Sequence, residues 1–183
     1  MSPEELLGLG FPKELIVLIV SMLPVVELRV ALPVAIVAWD MPWPSALTLA
    51  IIGNLLPVPF ILLFLEAITR RLRRRPFFDR FFSWLFERTR RRSRIIERYQ
   101  RIGLVLFVAI PLPFTGAWTG SLAAVLLGLR FRAAFLSILI GVFIAGAIVT
   151  TLSLLGWAGA VIAGLALAAV AVSGLWRATG EPA

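Results

Sequence analysis

An apolar run from 16 to 39 carries two charges near its middle, Glu27 and Arg29. A run of that length reads as membrane-buried. A charge deep in such a segment costs about 2.5–3.5 kcal/mol on insertion scales, so it is rarely there without a role. Pro24 and Pro33 bracket the pair, and proline removes a backbone donor and interrupts a helix. Broken backbone at membrane depth is tolerated only where protein buries it or where it lines a watery cavity. The stretch is therefore expected to floor a site, not to act as a plain anchor.

The rest of the chain agrees with a membrane setting. Sixty per cent of the 183 residues are hydrophobic and the mean hydropathy is +0.97, which describes an all-α integral membrane protein with one membrane domain over 1–183. Cysteine and histidine are absent, which excludes disulfides, thiolate metal sites, cysteine nucleophiles and imidazole proton shuttles. Carboxylates do not cluster in the membrane segments, so the expectation is a protein that is not an enzyme and uses no cofactor or metal. A cleaved signal peptide is not expected either. Glu4, Glu5 and Glu14 precede the first apolar run against Lys13 alone, whereas a signal peptide needs a positive start and an uninterrupted core.

Apolar segments fall at 13–39, 44–66, 103–128, 132–155 and 157–176. Between the second and third lies the stretch 70–101, with 13 arginines against Asp79, Glu87 and Glu97. Positive loops stay in the cytoplasm. Five full crossings would leave Arg130, Arg132 and Arg177 outside. If 13–39 and 103–128 instead dip in and return as re-entrant hairpins, every arginine away from the midplane is cytoplasmic and the N-terminus lies outside. The expected architecture is two re-entrant hairpins plus about three transmembrane helices.

This topology implies an inverted repeat, with 13–66 as repeat one, 103–155 as repeat two and 157–176 as a terminal transmembrane helix. An internal echo supports it. Residues 46–53, ALTLAIIG, align with 134–141, AFLSILIG, at an offset of 88, and the same offset lays Glu27 on Thr115. Inverted repeats whose broken helices meet at the midplane are the architecture of secondary transporters. Within the arginine-rich loop, Phe77, Phe78, Phe81, Phe82, Trp84, Leu85 and Phe86 cover one face of a helix over 76–88, opposite Asp79, Arg80, Ser83 and Glu87. Such a helix lies in the membrane interface as a topological anchor against lipid headgroups. With its aromatic face occupied by lipid, nucleic acid is not an expected partner.

Three strings carry a resemblance: PVVELRVALP at 24–33, GNLLPVPF at 53–60 and PLPFTGAWTG at 111–120. Together they resemble the putative small multidrug export protein family over 20–155. That family is in turn similar to the DedA membrane proteins, which have paired re-entrant hairpins and are implicated in returning undecaprenyl phosphate across the membrane. DedA proteins carry an acidic residue and arginines in their hairpins. This chain keeps Glu27 and Arg29 in the first hairpin and has neither type in the second.

The candidate substrate- or ion-binding residues are Glu27, Arg29, Asn54, Thr115, Trp118 and Thr119. Glu27 is expected to take and release a proton, with Arg29 holding an anionic group or tuning Glu27. Residues two apart on a helix face different ways, so a break at Pro24 or Pro33 is needed to bring the pair together. Asn54 fits either a helix–helix hydrogen bond or a ligand contact. Trp118 fits packing or the wall of a site. Thr115, Thr119 and Ser121 can satisfy carbonyls freed by Pro111 and Pro113. Glu66 and Arg70 are spaced to pair at the interface. The leading expectation is proton-coupled export of a small amphipathic or anionic substrate. DedA-like translocation of a polyprenyl-phosphate lipid is the alternative, with Arg29 on the phosphate, and a membrane scaffold built on the 76–88 helix is a third. Expected partners are membrane lipids, lipid phosphate included, and a small-molecule substrate. So small a chain leaves a homo-oligomer open as the unit that encloses a path. The two hairpin tips are expected to meet near the bilayer centre, Glu27 and Arg29 against 115–118.

Overall fold

Prolines and glycines decide where the helices of this chain start and stop. The computed structural model describes residues 11–24, 26–72, 94–112, 115–156, 158–165 and 168–169, all helical or connecting, with no strand among them. Helix α1 (Lys13–Met22) follows an extended Pro12 and ends at Leu23, itself extended (φ −72°, ψ 138°). Leu23 precedes Pro24, whose ring pushes the preceding residue out of the helical region. Helix α2 (Glu27–Pro33) restarts four residues further on and passes into a wider π-helical turn over Val34–Ala38. Pro33 sits inside this helix and has no N–H for the carbonyl one turn back, so the ladder widens there instead of ending.

Helix α3 (Trp43–Leu55) starts after the extended Pro42 with Pro44 in its first turn, where a missing N–H is harmless. After a short break at Leu56 and Pro57, α4 (Val58–Leu72) carries on. Helix α5 (Arg94–Ala109) stops at Ile110, again immediately before a proline. Helix α6 (Ala117–Leu126) closes on Gly128 (φ 68°), with Leu129 N–H donating to the Ala124 carbonyl and Gly128 N–H to Val125. That is a Schellman ending, which needs the left-handed residue. Helix α7 (Phe131–Leu154) follows.

Trp43–Ile68 and Phe131–Leu154 are long and apolar enough to cross a membrane. Phe60, Leu63 and Phe64 on α4 and Leu136, Ile140 and Phe143 on α7 are exposed, an outward apolar surface suited to lipid. Helix α1 packs on α2 and α3, α5 packs on α6 and α7, and α7 also meets α2, α3 and α4 while α4 meets α6. Lipid removes most of the hydrophobic drive between helices, so close approach at small residues has to do the holding. Gly53 of α3 faces α1 so closely that a Cβ there would lie 2.3 Å from the Leu18 carbonyl oxygen. Gly141 of α7 faces α5 in the same way, 2.9 Å from the Val105 carbonyl and 2.7 Å from Val108 Cβ.

These two glycines stand at the offset of 88 found in the sequence. So do Trp43 and Phe131, which open α3 and α7, and Asp40 (φ 51°) and Gly128 (φ 68°), the left-handed residues just before them. The echo at 46–53 and 134–141 thus extends beyond apolar composition to backbone conformation and helix packing.

Two boundaries differ from the sequence reading. The stretch 70–101 was expected as a polar loop, yet α4 runs to Leu72 and α5 begins at Arg94. Arginine is a good helix former, so these helices extend past the ends of the apolar segments. The interfacial helix over 76–88 and the Arg70 side chain lie outside what is described. Of the expected terminal helix over 157–176, residues 158–165 and 168–169 are described, and they are helical.

Candidate functional site: two helix breaks held together by a charged pair

The α1–α2 break and the α5–α6 break meet. Glu27 opens α2 with φ 49°, a left-handed conformation uncommon for any residue but glycine. Its N–H donates to the Leu23 carbonyl across the break. The side chain is almost fully buried, at 3% exposure. On the opposing tip, Gly116 takes φ 138° and ψ −166°, and α6 starts directly after it. Gly116 is required on two counts. Its backbone lies in a region that side chains avoid, and a Cβ there would sit 2.1 Å from Glu27 Oε2.

The missing side chain lets the carboxylate reach the first turn of α6. Trp118 N–H approaches Glu27 Oε1 at 3.4 Å, and the Ala117 N–H and the Asn54 side chain also face the carboxylate. Arg29 turns to the other end of the same break. One terminal nitrogen donates to the Leu112 carbonyl, just past the end of α5, and the other donates to Thr115 Oγ1 at 2.8 Å. The Thr115 oxygen also lies 2.8 Å from the Ile110 and Leu112 carbonyls, to which its hydroxyl can donate. In return, the Trp118 indole N–H donates to the Met22 carbonyl at 3.0 Å, at the end of α1.

The electrostatics follow the helix ends. The N-terminus of a helix presents unpaired N–H groups and partial positive charge, and the C-terminus unpaired carbonyls and partial negative charge. The anion of the pair faces the start of α6, and the cation faces the carbonyls beyond α5. Glu27 and Arg29 therefore bridge the second break, each at the end that suits its sign. The left-handed Glu27 starts the helix that carries Arg29 and sends the two side chains to different ends.

Glu27, Arg29, Asn54, Thr115 and Trp118 are thus gathered at one junction. Thr119 lies on the first turn of α6, but its hydroxyl is buried without a partner among the described residues, and so is Asn54 Oδ1. Asn54 itself is only 1% exposed. Ser121 does not serve the break. It donates to the Ala117 carbonyl within α6. Sequence reasoning placed Gly116 within the tip but missed that the Glu27 carboxylate needs a residue without a Cβ there, and it missed the Met22 carbonyl as a receiver. The glycine next to Thr115, between a proline-rich stretch and an apolar helix, was a usable signal for the first; the second has none, since any residue supplies a carbonyl.

No curated protein and no solved structure matches the chain significantly. A family model described as putative small multi-drug export protein matches residues 27–148, which take in Glu27 and Arg29, the second break and all of α3 and α4. The membrane-length helices and this match together make the chain a membrane protein, and it belongs to the putative small multi-drug export protein family.

Proposed function

We propose that this protein is a proton-coupled exporter of a small amphipathic or anionic substrate, with Glu27 as the group that carries the proton. The observation that carries the reading is a buried carboxylate at the junction of two helix breaks, set against the start of α6. Ionised, Glu27 is attracted by the partial positive charge of that helix end and by Arg29. Protonated, it loses both attractions and gains a hydrogen to donate. The buried Asn54 side chain also faces the carboxylate. Proton binding therefore loosens the contact between the two halves of the chain, which is the change an exporter needs to couple to its cargo.

In this reading α1–α2 and α5–α6 are re-entrant hairpins, each bound to the spanning helix that follows, in an inverted repeat. The matching conformations and close-packed glycines at the offset of 88 support it, as does the pairing of α1 with α3 and of α5 with α7. The arginine-rich stretch is then cytoplasmic and the N-terminus outside. A polyprenyl-phosphate cargo is the second reading. It is favoured by Arg29, a half-buried guanidinium with more N–H groups than its two hydrogen bonds among the described residues consume.

The test is efflux from proteoliposomes under an imposed pH gradient, with ethidium and octyl phosphate as the amphipathic cargoes. The wild type should drive efflux in proportion to the gradient, and Glu27→Gln should abolish that dependence. A Glu27→Gln protein that still couples efflux to the gradient would remove Glu27 from the mechanism.

A further inference from the structure

Glu27 and Asn54 are shut in at the junction, at 3% and 1% exposure, yet a group that carries protons for a cargo has to be reached from water. Resting on the exporter reading, we infer that the Trp118 side chain is the latch of a gate at this junction. The start of α6 swings away from the end of α1, the indole leaves the Met22 carbonyl and Glu27 becomes accessible, while Arg29 stays tied to the opposing tip as the hinge.

Where the molecule can part is set by what holds it. Helix α1 meets α3 at Gly53, and α5 meets α7 at Gly141, through close approach to the Leu18 and Val105 carbonyls. Backbone packed in this way cannot turn aside, so those pairs stay together. Contact between the two halves is of another kind. At Gly146 of α7 the first atoms met from α3 are the ends of the Leu47 and Ile51 side chains, which can change rotamer. At the tips the halves are joined by hydrogen bonds from the long side chains of Arg29 and Trp118. A seam of side-chain ends and single bonds opens before a seam of packed backbone.

The two ends of the tip seam are unequal. Arg29 makes two charge-assisted bonds, to the Leu112 carbonyl and to Thr115 Oγ1, and such bonds are about twice as strong as neutral ones. Breaking them would also strand a half-buried charge without its partners. Trp118 makes one neutral side-chain bond, from its indole to the Met22 carbonyl at 3.0 Å. Its backbone N–H stands 3.4 Å from Glu27 Oε1, beyond the usual range of about 2.7–3.2 Å. The Trp118 end is therefore the one that yields.

The position of Trp118 suits a latch. With its backbone N–H at Glu27 and its indole at Met22, the residue straddles the α1–α2 break. The side chain is half-buried. Leu122 and Leu126, one and two turns further along the same face of α6, are exposed. Swinging this face outward pulls no core side chain out of its packing.

The experiment uses Asn54→Cys as a reporter in the full chain, which has no cysteine of its own, in lipid nanodiscs. The probe is 2-sulfonatoethyl methanethiosulfonate, whose permanent charge lets it reach a thiol only through water. Ser137→Cys, buried in α7 one turn before Gly141, is the control. Trp118→Phe removes the indole N–H and keeps an aromatic ring. It should speed modification at position 54 roughly three- to twentyfold, the population shift that one hydrogen bond inside a membrane protein commands. The rate at position 137 should not change. Trp118→Leu, which removes the ring as well, should speed modification at position 54 at least as much.

An unchanged rate at position 54 overturns the latch, and so does an equal rise at position 137, which marks general loosening. If neither Trp118 variant folds, the indole bond is structural and the inference fails. Faster modification at position 54 beside retained gradient coupling in Glu27→Gln supports the latch and removes the exporter reading. An unchanged rate beside lost coupling does the reverse.

Discussion

Adding a single methyl group at each of four glycines should separate the contacts that hold this fold from those that do not. At Gly53 the new Cβ would lie 2.3 Å from the Leu18 carbonyl oxygen and 3.0 Å from Ser21 Cβ. Ordinary contact begins near 3.4 Å, so α1 and α3 have to part by roughly 1 Å, and the obstructing atom is backbone that cannot rotate away. Overpacking of this kind costs about 1–3 kcal/mol, and Gly53→Ala belongs at the upper end, about 3 kcal/mol. Gly141→Ala meets Val105 O at 2.9 Å and Val108 Cβ at 2.7 Å, a smaller intrusion expected to cost about 1–2 kcal/mol. Gly146→Ala meets first the end of the Leu47 side chain at 2.9 Å, which can turn aside, for less than about 1 kcal/mol. Gly103 has nothing within 4 Å, so Gly103→Ala should stabilise the helix by about 0.5–1 kcal/mol. Reversible unfolding in mixed micelles, followed by helical circular dichroism, ranks all four. A Gly53→Ala protein as stable as wild type, or one less damaged than Gly103→Ala, would refute the argument that α1 and α3 are held by close backbone approach.

Two other outcomes are expected. Trp118→Phe removes the indole N–H that caps α1 at the Met22 carbonyl while leaving the backbone N–H facing Glu27. It should lower stability by about 0.6–1.7 kcal/mol, the range of hydrogen bonds inside membrane proteins, and an unchanged unfolding midpoint would place that carbonyl in contact with another donor. On this cysteine-free background, single cysteines at Asp40 and Arg132 should react with a membrane-impermeant maleimide from opposite sides of intact cells, Asp40 from outside. Labelling of both from one side would remove the paired-hairpin topology.

How far the fold could be read from the residues alone depended on the range of the interaction responsible. The apolar segments, the helix stops at Leu23 and Ile110, and the start of α3 after Pro42 follow from side-chain hydropathy and the fixed geometry of proline, which act within a few residues. The offset of 88 was visible too, though only as matching apolar strings; the matched left-handed residues and close-packed glycines that give it weight are properties of the folded backbone. The site divides along the same line. Glu27 and Arg29 were conspicuous because charge in an apolar run is costly wherever it ends up. Their partners were not, because those partners are backbone groups, the N–H of Trp118 and the carbonyl of Leu112, more than eighty residues away. Every residue carries such groups, so sequence cannot mark which of them will be unpaired. Only the tertiary structure, by setting one helix break against another, decided that the carboxylate would meet the start of α6 and the guanidinium the carbonyls beyond α5.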